Sequence, residues 1–172
     1  MFRRLILAAL LVLPGAAFAA NAAKLNDAQI AHIAYTAGNI DIAAGQQAIK
    51  KASNPNVKAF AEEMVRDHTA VNDKALALVK KLGVTPEDNA TSKALSKRAA
   101  AKLAELGKLS GGAFDKAYVD NEAAYHTTVN GALKDTLIPG ASNGELKSLL
   151  ETGLTLFQSH QEHAEHLAMS LK

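Results

Sequence analysis

The stretch from Asn54 to Gly83 constrains this chain more than any other. Asn54-Pro55 places a capping side chain before a proline suited to the first helical position. Gly83 follows the last apolar residue, where helices commonly leave through a left-handed turn. Between them Val57, Ala61, Met64, His68, Val71, Ala75, Leu78 and Leu82 recur at steps of three and four. That spacing draws one stripe along one long helix, and the stripe must be covered by other helices. One member, His68, is polar and lies near the middle.

The flanking segments read the same way. A first helix from about residue 26 to 53 turns Ile30, Ala34, Ala37, Asp41, Ala44 and Ala48 inward; a slightly rotated phase brings in Ile33 and Ile40 and moves Asp41 toward the edge. The short junction at Ser53-Asn54 makes the first two helices antiparallel neighbours. After a second opening at Thr85-Pro86-Glu87-Asp88, a shorter helix over about 89–109 carries Leu95, Ala99, Leu103 and Leu106. At 1.5 Å per residue its roughly twenty residues span about 30 Å, enough to cross from one end of a bundle to the other. Ser110-Gly111-Gly112 breaks the pattern. A helix over about 113–137 then aligns Val119, Glu122, His126, Val129 and Leu133 before Ile138-Pro139-Gly140 stops it. Ser142 with Glu145 is expected to box the start of the last helix, whose stripe is Leu146, Leu149, Gly153, Leu156, His160, Ala164, Leu167 and Leu171. The expectation is an all-α domain over 25–171: a ferritin-like four-helix bundle with an additional short crossover helix.

Residues 1–20 stand apart. A basic start at Arg3-Arg4, an apolar run from Leu5 to Leu13 and Ala17-Phe18-Ala19 have the form of a signal peptide with its cleavage site. Nine apolar residues ended by Pro14-Gly15 are too few for about 30 Å of hydrocarbon. Secretion into a bacterial periplasm follows, with no transmembrane span once the signal is removed. Loss of Arg3 and Arg4 brings 19 basic residues level with the 17 acidic ones. A neutral mature chain without a lysine or arginine block gives nucleic acid or anionic membrane little to bind. The absence of cysteine removes disulfides and thiol chemistry, so stability rests on core packing.

Depth turns scattered polar residues into a constellation. Asp41, His68, His126 and His160 each lie near the middle of a long helix, and Glu122 lies one turn from His126. In an antiparallel bundle, mid-helix positions share one level. Unpaired, such groups would cost several kcal/mol in an apolar core, so they need one another, water or an ion. One reading is a transition-metal site with His68, His126 and His160 as nitrogen ligands and Asp41 or Glu122 supplying oxygen, suited to zinc, iron, copper or manganese. The other is a metal-free hydrogen-bonded layer that fixes helix register. A di-iron oxidase fits poorly, because no Glu-x-x-His pair is present among the candidate residues and carboxylates are few. His163 and His166 are expected at the helix surface, Asp67 and Asp115 as caps or surface charges, and Tyr118 and Tyr125 as packing residues. No phosphate loop or serine elbow appears.

Several strings together resemble the DUF4142 family of secreted bacterial helical bundles without an assigned activity. They are Asp41-x-x-x-Gly45-x-x-Ala48, Lys51-Ala52-Ser53-Asn54-Pro55-Asn56-Val57-Lys58, Met64-Val65-x-Asp67-His68, Leu109-Ser110-Gly111-x-x-Phe114-Asp115-x-x-Tyr118, His126 and His160-x-x-x-Ala164. The resemblance implies a ferritin-like fold and a periplasmic or outer-membrane location with peripheral envelope association. It implies no reaction. The functional expectation is therefore a periplasmic bundle holding a transition metal in a His-carboxylate layer. The alternatives are a metal-free structural or interaction module in envelope stress, with a protein partner, and a metal-dependent oxidoreductase.

Overall fold

The computed structural model of the protein describes residues 24–171; the expected signal peptide over 1–20 lies outside them. Among the described residues the structure is helical, without strands. The long elements are α1 (Asp27–Lys51), α2 (Pro55–Lys81), α3 (Ala90–Gly107) and α4 (Gly111–Ala132). A π-helical turn, Leu133–Leu137, and a single turn α5 (Ile138–Gly140) then lead into α6 (Gly144–Ser170). No helix among them is long and apolar enough to cross a membrane.

Capping fixes where each helix begins. Asn26 and Gln29 exchange side-chain and backbone hydrogen bonds at the head of α1, and the Asn54 side chain accepts from the Asn56 backbone ahead of Pro55. At α6 the cap is Asn143, which accepts from the Glu145 and Leu146 backbones. The expected Ser142–Glu145 box is therefore displaced by one residue. Ser142 has another role: its backbone N–H, with that of Asn143, donates to the Asp27 carboxylate. At the opposite end Asp115 of α4 accepts from the Ser53 and Asn54 backbones and the Ser53 hydroxyl. Each end of the bundle is thus tied by one carboxylate reaching across to another helix junction.

These ties set the topology. Asn89 reaches Gln29, Gln47 reaches Leu103 and Lys51 reaches Gly107, so α3 runs alongside and parallel to α1. It carries the chain back along the bundle, as a crossover, between the antiparallel pairs α1–α2 and α4–α6. Few of its residues are buried, chiefly Ser92 and Leu106. Close contact of α1 with α2 depends on Gly45, where a Cβ would lie 2.8 Å from Val65 Cγ2 and 3.0 Å from the Ala61 carbonyl.

The stripes hold with local rotations. On α2, Val57, Ala61, Met64 and His68 are buried as expected, joined by Phe60. Beyond His68 the buried position shifts to Asn72, and Val71, Ala75, Leu78 and Leu82 are only half-buried. On α6, Leu150 and Phe157 take the inward places expected of Leu149 and Leu156. Two apolar cores result. One gathers Phe60, Met64, Phe114, Tyr118 and their neighbours; the other gathers Ile30, Ile33, Leu133, Leu137, Leu146, Leu150 and Phe157.

A candidate metal centre

The polar layer lies between these two cores. Asp41 from α1, His68 from α2, Glu122 and His126 from α4, and His160 from α6 are each at most 2% exposed. Asp41 faces inward as in the first phase of α1, although Ile33 of the rotated phase is also buried and Ala34 is half-buried. Ring centroids are 5.6 Å apart for His68 and His126, 5.3 Å for His68 and His160, and 5.5 Å for His126 and His160. One ligand atom from each of the three imidazoles lies within 4.8 Å of the others, and Asp41, Glu122 and His126 form a second such set. Asp41 Oδ2 is 3.4 Å from His68 Nε2 and 4.0 Å from His126 Nε2.

Each ring is held in place from outside the layer. His126 Nδ1 lies 3.0 Å from the Glu122 carbonyl. A carbonyl only accepts, so Nδ1 carries the proton and Nε2 keeps its lone pair for the interior. His160 Nε2 donates to Asp67 Oδ2 at 3.1 Å, leaving its Nδ1 with a lone pair, buried and without a partner. Asp67 is gripped in turn by Arg66, through Nε at 2.7 Å and a terminal nitrogen at 3.0 Å. His68 stacks on Phe157, with centroids 4.4 Å apart and planes 12° from parallel. Such outer partners fix ring orientation at metal sites.

What the layer lacks is internal satisfaction. His68 Nδ1 and Nε2, His126 Nε2, His160 Nδ1, Asp41 Oδ1 and Glu122 Oε2 are all buried without a hydrogen-bond partner. The titration behaviour has the same cause. Burial pushes the His68 imidazole down to about 2, helped by His126 and His160, and burial brings His126 down to about 4. His160 is also lowered by burial, against the pull of Asp67. Burial raises Asp41 well above the ordinary carboxyl range, with the Glu122 charge adding to it. Glu122 is raised by burial, partly offset by hydrogen bonding to Asp41 and Asn121. Neutral imidazoles with free lone pairs beside carboxyls that resist ionisation are groups that a divalent cation would stabilise together.

Other expectations separate at this point. Asp115 is a buried cap, bridging α4 to the start of α2. Asp67 is more than a surface charge, because it orients His160. Its carboxyl is lowered: partial burial works upward, but the bonds from Arg66 and His160 outweigh it. Adjacent residues on a helix point about 100° apart, so with His68 facing the bundle axis, Asp67 is turned toward a neighbouring helix. The Asp67-His68 pair was the available signal. Tyr118 is wholly buried, and Tyr125 donates to the Ala37 carbonyl. His163 and His166 lie at the surface.

Comparison with known proteins adds the fold and the family. No curated protein matches the chain. The crystal structure of the DUF305 protein from Streptomyces coelicolor is similar, with a TM-score of 0.69 over 83% of this chain and 91% of that one, at 10% identity. Likeness at that identity concerns the fold alone. The family pattern of DUF4142, a domain of unknown function, matches residues 13–167, and the chain belongs to that family.

Proposed function

We propose that this protein binds one divalent transition-metal ion in the buried layer, with His68, His126 and His160 as nitrogen ligands and Asp41 or Glu122 supplying oxygen. The observation that carries the proposal is the set of unpartnered, buried ligand atoms aimed into one layer from four helices. An unsatisfied buried donor or acceptor costs about 1–3 kcal/mol, and one ion bound among these groups would relieve several of them together. Three imidazoles with carboxylates suit zinc, iron, copper or manganese. On this reading the bundle is a ferritin-like domain over 25–171. Signal-directed export over 1–20 places it in the periplasm, with peripheral envelope association, for metal storage, sensing or envelope protection.

The test is metal analysis of untagged mature protein, followed by titration of the chelator-stripped form with zinc, copper, iron and manganese. The expected result is one ion per chain, a raised melting temperature, and loss of both in His68→Ala and His160→Ala. A wild type that neither retains nor is stabilised by any of the four contradicts the proposal.

A further inference from the structure

An ion bound in the layer must first pass a wall of buried side chains. Two members of the layer touch partly exposed polar groups. Glu122 accepts from Asn121 Nδ2 at a long 3.4 Å, a contact with a neutral side chain. His160 touches Asp67, whose side chain is 17% exposed. One turn away on α2, Glu63 is 31% exposed, and its Oε2 lies 2.9 Å from His163 Nδ1. His163 is held edge-on against Phe60, with centroids 5.0 Å apart. Ligand atoms of Glu63, Asp67 and His160 all lie within 4.8 Å of one another.

His160 therefore belongs to both ligand sets. Its Nε2 bonds the Asp67 carboxylate at the α2–α6 seam, and its Nδ1 is buried and without a partner. We infer that Glu63, Asp67 and His160 form an outer divalent-cation site through which the buried layer is loaded; this rests on the metal-binding reading above. In the outer state the ion takes the Nε2 lone pair, and the ring proton sits on Nδ1. In the inner state the ion takes Nδ1, and the proton returns to Nε2 and the Asp67 bond. The ring stays neutral throughout, so the two positions are occupied in turn. Arg66 sits on Asp67 as a resident cation and must be displaced by the incoming ion. Its side chain is 68% exposed, free to swing into water.

The experiment is stopped-flow mixing of metal-free, untagged mature protein with cobalt(II), following the visible d–d band, with endpoint affinity measured separately. Glu63→Gln is expected to slow loading at least tenfold while changing endpoint affinity less than threefold. Arg66→Gln should speed it several-fold. Glu62→Gln, an exposed neighbouring carboxylate, should leave the rate unchanged. Wild-type loading rates in Glu63→Gln, or equal slowing by Glu62→Gln, would overturn the outer site while leaving the buried one intact. A wild type that takes up no cobalt overturns both.

Discussion

The two halves of the bundle are built differently although one chain, with one repeating pattern, makes both. Below the polar layer, toward the α1–α2 junction, Phe60, Met64, Phe114, Tyr118 and Val119 are fully buried, and Phe114 stacks on Tyr118 with planes 4° from parallel. Above it, toward the α5–α6 junction, the core is largely aliphatic. It leaves a cavity of about 80 Å³ among Ala34, Gly38, Val129, Leu133, Leu137 and Phe157. The π-helical turn Leu133–Leu137 lies in that wall, and such turns are frequent beside functional sites. Phe157 belongs to the looser half and also stacks on His68. The contrast teaches that the layer is clamped from one side by dense aromatic packing and from the other by a half with room to adjust.

The largest effect expected of that contrast is in core truncation. Phe60→Ala should cost about 3–5 kcal/mol, because the surrounding side chains have no slack with which to fill the hole. Leu133→Ala should cost nearer 2 kcal/mol, since that side chain already lacks neighbours toward the cavity. Urea unfolding of both variants measures the difference, and equal costs would remove the distinction between the halves.

The layer itself is expected to change sign with metal. In His68→Leu, two unpartnered buried nitrogens are exchanged for methyl groups, so the metal-free variant should be more stable than metal-free wild type by about 1–3 kcal/mol. With metal the order should reverse, because the wild type gains about 4.1 kcal/mol when free ion is about a thousandfold above its dissociation constant. Thermal unfolding with and without chelator reads both. A satisfied structural layer would instead lose stability in the variant under both conditions.

The smaller effect is in acid. His126 has a folded value of about 4 against an ordinary 6.5, so below 6.5 the unfolded chain takes up the proton first. Stability of the metal-free protein should fall as pH drops through that window, by up to about 1.4 kcal/mol per pH unit from this residue. Asp41 and Glu122 run the opposite way: their raised values contribute stability that is present at low pH and lost as pH rises through them. Comparing wild type with His126→Leu isolates the histidine, and the variant's acid limb should be shallower. Parallel limbs would mean that His126 does not lose its proton affinity on folding.

The tight half was the more legible in sequence, and the reason is local. On α2 the charged Lys58 and Glu62 mark the outer face, and the expected Val57, Ala61 and Met64 are buried, with Phe60 beside them. On α6 the doublets Leu149-Leu150 and Leu156-Phe157 fit a three-four stripe in either phase, and periodicity cannot choose between them. Packing chose Leu150 and Phe157. Spacing alone runs the α2 stripe through Val71, yet Asn72 takes the buried place. Its Nδ2 donates to the Tyr35 carbonyl and to Asn39 Oδ1 against α1, which makes burial tolerable. His68, Glu122, His126 and His160 were visible because each lies near mid-helix on an inward phase, whereas the phase that turns Asp41 inward was one of two. Glu63 was not, since its partner His163 lies 100 residues further along the chain, and for Asp67 the one signal was its place beside His68.

Anomalous diffraction from crystals of untagged mature protein, collected at the edges of manganese, iron, copper and zinc, addresses the metal layer most directly. An ion about 2.0–2.2 Å from nitrogens of His68, His126 and His160 and from a carboxylate oxygen of Asp41 or Glu122 is the predicted result. Crystals grown with excess metal that show only ordered water among those five side chains would contradict it.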